Sequence, residues 1–130
     1  MTPKPKYFFL NRVYLALQGI FIATKRERHM KFHFIFSILL LVPLLWINLN
    51  PIHIWILIIL IILLLITELI NTAIEITVDM ISKKFSYRAK LAKDMASGSV
   101  LLMASLLLAF GIYVYTVPFL NFSKGSLIGN

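Results

Sequence analysis

The stretch IHIWILIILIILLLITELINTAIEITVDMI, residues 52–81, decides the fold of this chain. Its first half is almost entirely Ile and Leu and contains no Asp, Glu, Lys or Arg. A helix needs about 20 consecutive apolar residues to cross the hydrocarbon core of a bilayer. The stretch therefore predicts a transmembrane helix over about residues 52–79, with polar side chains in its second half.

Two other uncharged apolar runs predict two more transmembrane helices, over about residues 32–49 and 96–119. The first contains Pro43, which a membrane helix tolerates when neighbouring groups satisfy the freed carbonyl. A cleaved signal peptide is disfavoured for this run, because it starts only after 31 residues and no small-x-small cleavage site follows it. The sequence thus predicts an all-α membrane protein with three spans.

The composition is that of one membrane domain over residues 1–130. Hydrophobic residues make up 60% of the chain and charged residues 14%, whereas soluble domains are about half apolar and a quarter charged. The long apolar runs exclude an intrinsically disordered chain and a small nucleic-acid-binding domain, despite a formal net charge of +8. The absence of cysteine excludes a disulfide scaffold, a Cys-based zinc site and a cysteine nucleophile.

The basic residues predict the orientation of the chain in the membrane. Of the 13 Lys and Arg residues, all except Lys124 precede the first span or lie between the second and third spans. Basic loops stay on the cytoplasmic side. We therefore expect a multi-pass protein of the cell (inner) membrane, with its N-terminus and second loop in the cytoplasm.

The segment before the first span predicts a fourth helix, over about residues 7–30. Apolar residues such as Tyr7, Tyr14 and Leu17 recur there at helical spacing, and the segment ends in a basic cluster. An amphipathic surface helix on the anionic cytoplasmic leaflet fits this pattern. The alternative is a disordered basic lead-in to the first span.

The second span carries a polar stripe. At about 100° per residue, its five members fall within an arc of roughly 100°. Intramembrane carboxylates are costly and mark functional sites, although polar residues also join helices to each other. Carboxylates this close repel unless a cation lies between them, and Mg²⁺ prefers such oxygen ligands. The stripe consists of Glu68, Asn71, Thr72, Glu75 and Asp79.

Other polar features are less specific. His29 and His33 are four residues apart and could share a helical face as metal ligands, but no third ligand is near them, which favours interfacial histidines. Glu27 lies among basic residues, where a local ion pair would also explain it. Neither a P-loop nor a protein-kinase motif set is present, so any phosphate chemistry requires a different scaffold.

The sequence ELINTAIEITVD at residues 68–79, followed by AKDMASG at residues 92–98, resembles the signature of the prokaryotic diacylglycerol kinase/undecaprenol kinase family. Upstream, Gly19, the pair Glu27-Arg28 and His33 resemble further family positions. The resemblance covers about residues 14–110. It implies a small homotrimeric membrane lipid kinase with a surface helix, three membrane helices and active sites shared between subunits, which transfers the γ-phosphate of MgATP to a lipid hydroxyl.

The resemblance also implies residue roles. Glu68 matches the general base and contacts the lipid hydroxyl, and Glu27 and Glu75 match the ligands of Mg²⁺. Trp46 and Ser97 match positions on the lipid side. The positions that match the ATP site are Asn71, Asp79, Lys84, Phe85, Ser86, Lys93 and Asp94.

Some questions stay open in the sequence. Phe8 occupies a position that is often basic in the family. His33 and Glu27-Arg28 resemble the undecaprenol kinase branch slightly more than the diacylglycerol kinase branch. A non-catalytic membrane interaction or transport subunit, or an inactive lipid-binding relative, would use the same stripe differently. The kinase is favoured because all five acidic residues of the chain coincide with functional positions of the family.

Overall fold

The fold is a set of α-helices in a computed structural model that describes residues 9–84 and 86–128, with side chains up to residue 116. No strand occurs in these ranges. A 3₁₀ turn follows the second helix. The helices are α1 Phe9–Arg26, α2 Arg28–Leu41, the 3₁₀ helix Val42–Leu45, α3 Pro51–Ile81 and α4 Tyr87–Ile128.

Three helical segments are long and apolar enough to cross a membrane: Arg28–Leu45, Pro51–Ile81 and Tyr87–Thr116. The prediction of three transmembrane helices is therefore confirmed. The third helix begins earlier than the apolar run that revealed it, because α4 starts at Tyr87 rather than near Ala96. Its first turns are rich in Lys and Arg, which are good helix formers, and Lys90 pairs with Asp94 one turn later.

A single residue separates α1 from α2. Glu27 has an extended backbone, with φ −86° and ψ 126°, and its side chain does not cap α2. Its N–H still donates to the Ala23 carbonyl at 2.9 Å. The helix predicted over residues 7–30 is thus observed as α1 only up to Arg26, because residues 28–30 belong to α2, and Tyr7 and Phe8 lie outside the described residues. Its amphipathic surface position stays a prediction.

Pro43 determines how α2 ends. Proline has no backbone N–H, and the chain tightens into the 3₁₀ helix Val42–Leu45, in which hydrogen bonds run to the third rather than the fourth residue. This change frees the Leu40 carbonyl, which accepts a hydrogen bond from the Tyr115 hydroxyl of α4. Gly111 lies beside the same contact, where an added Cβ would come within 3.3 Å of the Leu40 side chain. The end of α2 is therefore fastened to α4.

The core lies between α3 and α4. Leu57, Leu64 and Leu107 are fully buried in it, and Ile61 and Val100 complete the cluster. The short link 82–86 makes the two helices antiparallel, so their apolar faces meet along much of their length. Large apolar side chains on the remaining faces are exposed in the single chain, as expected for surfaces that contact lipid or other subunits.

Candidate functional site

The polar stripe of α3 is buried in its deeper part. Glu68 is only 2% exposed, and Asn71 and Thr72 are also buried. Asn71 Nδ2 donates a hydrogen bond to Glu75 Oε1 over 3.2 Å, one helical turn away. Asn71 Oδ1 is buried and has no hydrogen-bond partner among the described residues. Because buried polar atoms are rarely left unpaired, this oxygen is an acceptor available to a water molecule or a ligand.

Three helices line a pocket of about 240 Å³ beside Glu68. The α3 side contributes the carboxylates and Asn71, and α2 contributes two imidazoles. The α4 side offers Ser97 at one end and apolar side chains at the other. The pocket is lined by His29, His33, Glu68, Asn71, Glu75, Ser97, Val100, Leu101 and Ala104.

A second pocket, of about 420 Å³, lies where α3 ends and α4 begins. Lys93 Nζ donates to both carboxylate oxygens of Asp79, at 2.9 and 3.1 Å. Lys90 pairs with Asp94 on the same wall. The cationic side chains outnumber the carboxylates, which suits a polyphosphate. The pocket is lined by Val78, Asp79, Ser82, Lys83, Lys84, Ser86, Ala89, Lys90, Lys93 and Asp94.

The two pockets are neighbours along α3. Glu75 lines the first pocket and Asp79 lines the second. These residues are one helical turn apart, about 6 Å along the axis. A molecule that occupied the second pocket would therefore place its inner end close to the polar groups around Glu68.

The structure gathers most of the residues singled out in the sequence. Glu68, Asn71, Glu75 and Ser97 share the first pocket. Phe85 lies outside the described residues. The second pocket collects Asp79, Lys84, Ser86, Lys93 and Asp94.

Two of the singled-out residues lie apart from these pockets. Glu27 lines a larger and mostly apolar pocket of about 730 Å³ between α1 and α3. Trp46 ends the 3₁₀ helix and is 76% exposed, at the opposite end of α2. In the single chain, the geometry does not bring either residue into the pocket of Glu68.

The donor set of the first pocket suits a hard cation together with phosphate. Glu75 and the unpartnered Asn71 Oδ1 are adjacent oxygen donors, and oxygen is the ligand atom that Mg²⁺ prefers. No group of three or more His, Cys, Asp or Glu side chains in the described part of the chain has an arrangement that would hold a metal by itself. Because Mg²⁺ in such sites keeps water and phosphate oxygens as ligands, a sparse protein set is compatible with it.

His29 and His33 are the pocket residues that the sequence left without a partner. Their spacing puts them on one face of α2, and only the packing of α2 on α3 shows that this face looks at Glu68. Ser37, one turn further, is a buried polar residue on α2. The sequence signal is therefore a polar face on an otherwise apolar membrane helix.

Known proteins resemble this chain over most of its length. The family model for prokaryotic diacylglycerol kinase matches residues 14–115. An undecaprenol kinase from Bacillus subtilis (strain 168) is 35% identical over 108 residues, covering 83% of this chain and 87% of that protein. A diacylglycerol kinase from Synechocystis is 30% identical over 107 residues, covering 82% of this chain but only 61% of that protein. Both pockets fall within the range that the family model matches.

Proposed function

The chain belongs to the prokaryotic diacylglycerol kinase family, and from this premise we propose that it transfers the γ-phosphate of MgATP to the hydroxyl of a membrane lipid. The family and the names of its relatives make the protein a lipid kinase with membrane helices. The proposal goes beyond this in four respects: the phosphoryl donor, the metal, the acceptor lipid and the roles of individual residues.

One observation carries the proposal: a carboxylate that is 2% exposed faces a small pocket beside a basic one. A lipid hydroxyl is a poor nucleophile, and a carboxylate within hydrogen-bond reach takes its proton as the oxygen attacks phosphorus. Glu68 lies roughly 16 Å along the helix from Asp79, at a depth that suits a lipid headgroup. We therefore assign Glu68 as the general base.

The second pocket is assigned to ATP. Phosphoryl transfer depends mainly on positioning and on neutralising charge. Lys93, held by Asp79, is the cation that we assign to the transferred phosphate, and Lys84, Ser86 and Asp94 line the same pocket. Phe85 keeps its proposed role from the family resemblance alone.

Glu75 and Asn71 are the residues of the first pocket that would hold Mg²⁺, and Glu27 keeps its proposed role as a metal ligand from the family resemblance alone. The bound ion would draw charge from the phosphate oxygens and so assist transfer. Ser97 shares the pocket with Glu68 and is assigned to the lipid headgroup. Trp46 remains a proposed lipid contact in the assembled protein.

The acceptor is undecaprenol or diacylglycerol. The resemblance of His33 and Glu27-Arg28 to the undecaprenol kinase branch favours undecaprenol, and the Bacillus subtilis relative carries that name. The homotrimer and the cytoplasmic position of the site belong to the same proposal. Exposed apolar side chains along the membrane helices are compatible with contacts between subunits.

The test is a kinase assay with both lipids side by side. Purified protein in mixed micelles should transfer labelled phosphate from MgATP to undecaprenol, diacylglycerol or both. Glu68→Gln keeps the size of the side chain but removes the base, and should lower kcat by at least roughly 100-fold. The ATP affinity should change little, because Glu68 does not line the second pocket.

Ser105→Ala is the matched control. Ser105 is exposed on α4, and its hydroxyl bonds only to the Leu101 carbonyl of its own helix. This variant should keep full activity. A folded wild-type protein that phosphorylates neither lipid would contradict the proposal and favour a non-catalytic membrane subunit.

A further inference from the structure

A polar face on α2 is aimed at the pocket of Glu68. His29, His33 and Ser37 follow each other at intervals of one helical turn, and both histidines line the pocket. Ser37 is 4% exposed and donates from Oγ to the His33 carbonyl over 2.7 Å. An apolar helix in lipid has no need of such a face, so the face requires a role inside the protein.

His33 is the member of this face that is held in place but left unpaired. Its Nδ1 is buried and has no hydrogen-bond partner among the described residues. Its ring packs edge-on against Phe32, with the centroids 5.7 Å apart. A buried imidazole nitrogen without a partner costs free energy, which a water molecule or a ligand in the pocket would recover.

The proposed reaction leaves a proton on Glu68 that has to be removed, and this imidazole is placed to take part in removing it. In each turnover the lipid oxygen forms a bond to the γ-phosphorus, the bond from that phosphorus to the bridging oxygen breaks, and ADP leaves. The hydroxyl proton remains on Glu68, and no oxidant or reductant takes part. Glu68 must lose this proton before the next turnover, yet it is only 2% exposed. A route from Glu68 to water is therefore required.

We propose that His33 is a proton-relay residue, which accepts the proton from Glu68 through water in the pocket and passes it toward the cytoplasmic end of α2. This inference rests on the proposed kinase function. Imidazole suits a relay because one nitrogen binds a proton while the other releases one. At about 240 Å³ the pocket has room for several bridging water molecules.

The charged surroundings of His33 are defined by the helices packed around it. His29 faces it from the same helix, and Glu68 and Glu75 face the pocket from α3. The α4 wall contributes Ser97, which does not titrate in this range. Both imidazoles share the pocket with Glu68, and His33 is the one with a buried ring nitrogen that has no partner among the described residues.

The test compares His33→Ala with wild-type protein in the micelle assay. His33→Ala should lower kcat by at least roughly tenfold and leave the KM values for ATP and lipid unchanged. Free imidazole should restore much of the lost kcat, because the variant leaves a ring-sized space. Imidazole should not restore the kcat of Glu68→Gln, because this variant lacks the carboxylate that takes the proton from the lipid hydroxyl.

His53→Gln is the control. This histidine lies in the first turn of α3, against Phe110 and Tyr113, at the other end of the helix from Glu68. It should keep wild-type kcat with and without imidazole. Thermal unfolding and micelle size establish that each variant is folded. If His33→Ala does not fold, His33→Gln replaces it, because glutamine forms hydrogen bonds but does not relay protons. A lowered kcat in this variant supports the relay, and a wild-type kcat overturns it.

The outcomes separate the two proposals. An inactive wild-type protein contradicts the kinase function itself. An active wild-type protein with a fully active His33 variant overturns only the relay. A raised KM for the lipid, or a loss of kcat in His33→Ala that imidazole does not reverse, also overturns the relay, because His33 would then bind the acceptor or support the fold.

Discussion

Asp79 and Lys93 lie 14 positions apart in the sequence and meet through two short hydrogen bonds. The pair spans the link between α3 and α4, so it fastens the two walls of the basic pocket together. The side chain of Asp79 is 66% exposed and that of Lys93 35% exposed, and ion pairs this accessible to solvent add little stability on their own. The value of the contact therefore lies in holding a cation at a defined position.

Lys93→Met is expected to lower kcat/KM for ATP by on the order of 100-fold, because it removes a cation from the charge that develops on the transferred phosphate. The free energy of unfolding should change little, because an ion pair that is accessible to solvent contributes little to stability. Steady-state kinetics with varied ATP measures the effect. Lys31→Met is the control, since Lys31 is exposed on α2 outside both pockets, and a comparable loss there would contradict a specific role for Lys93.

At this scale the sequence predicted the stripe well, because residues of one helix share a face by periodicity alone. Glu68, Asn71 and Glu75 needed no tertiary information. The role of His33 did need it, since the face of α2 that meets α3 is set by packing. Glu27 shows the same limit: its pocket depends on how α1 lies against α3.

The elements differ from the apolar runs that predicted them at their ends. The sequence located the three spans because uncharged length is a strong signal. The start of α4 was missed, since Lys and Arg mask helical continuity in a hydropathy pattern. The extended backbone of Glu27 was missed as well, because neither proline nor glycine marks it.

Tyr115→Phe tests the fastening of α2 to α4. The change removes the hydroxyl that bonds to the Leu40 carbonyl and leaves that carbonyl unpaired beside Pro43. We expect a loss of about 1 kcal/mol in the free energy of unfolding, measured by titration with a denaturing detergent. Tyr113→Phe, whose ring packs on His53, should change stability by only a few tenths of a kcal/mol. Equal stability of Tyr115→Phe and wild type would show that the bond is dispensable.

For the whole molecule, the asymmetry of charge bears on its orientation in the membrane, and the exposed apolar surface bears on what covers it. The basic residues predict which ends of the helices face the cytoplasm. The exposed apolar side chains require a covering of lipid or of other subunits. The homotrimer stays a prediction, because a single chain presents both kinds of surface in the same way.

The orientation can be tested cleanly because the chain contains no cysteine. Single substitutions Lys25→Cys and Lys83→Cys should react with a membrane-impermeant maleimide only in inside-out vesicles. Asn48→Cys should react in intact cells, since it lies in the link between α2 and α3 on the opposite side. Labelling with the reverse pattern would place the proposed active site outside the cytoplasm.

The continuity of α3 has a consequence for how the two substrates meet. The helix runs unbroken from Pro51 to Ile81, with Glu68 toward its buried part and Asp79 near its basic end. The helix therefore holds Glu68 and Asp79 at a fixed separation across the boundary between hydrocarbon and water. On the proposed reaction, the lipid never has to leave its oil-like solvent and the nucleotide never has to enter it. Only a phosphoryl group passes from one to the other, within the roughly 16 Å of rigid helix that separate Glu68 from Asp79.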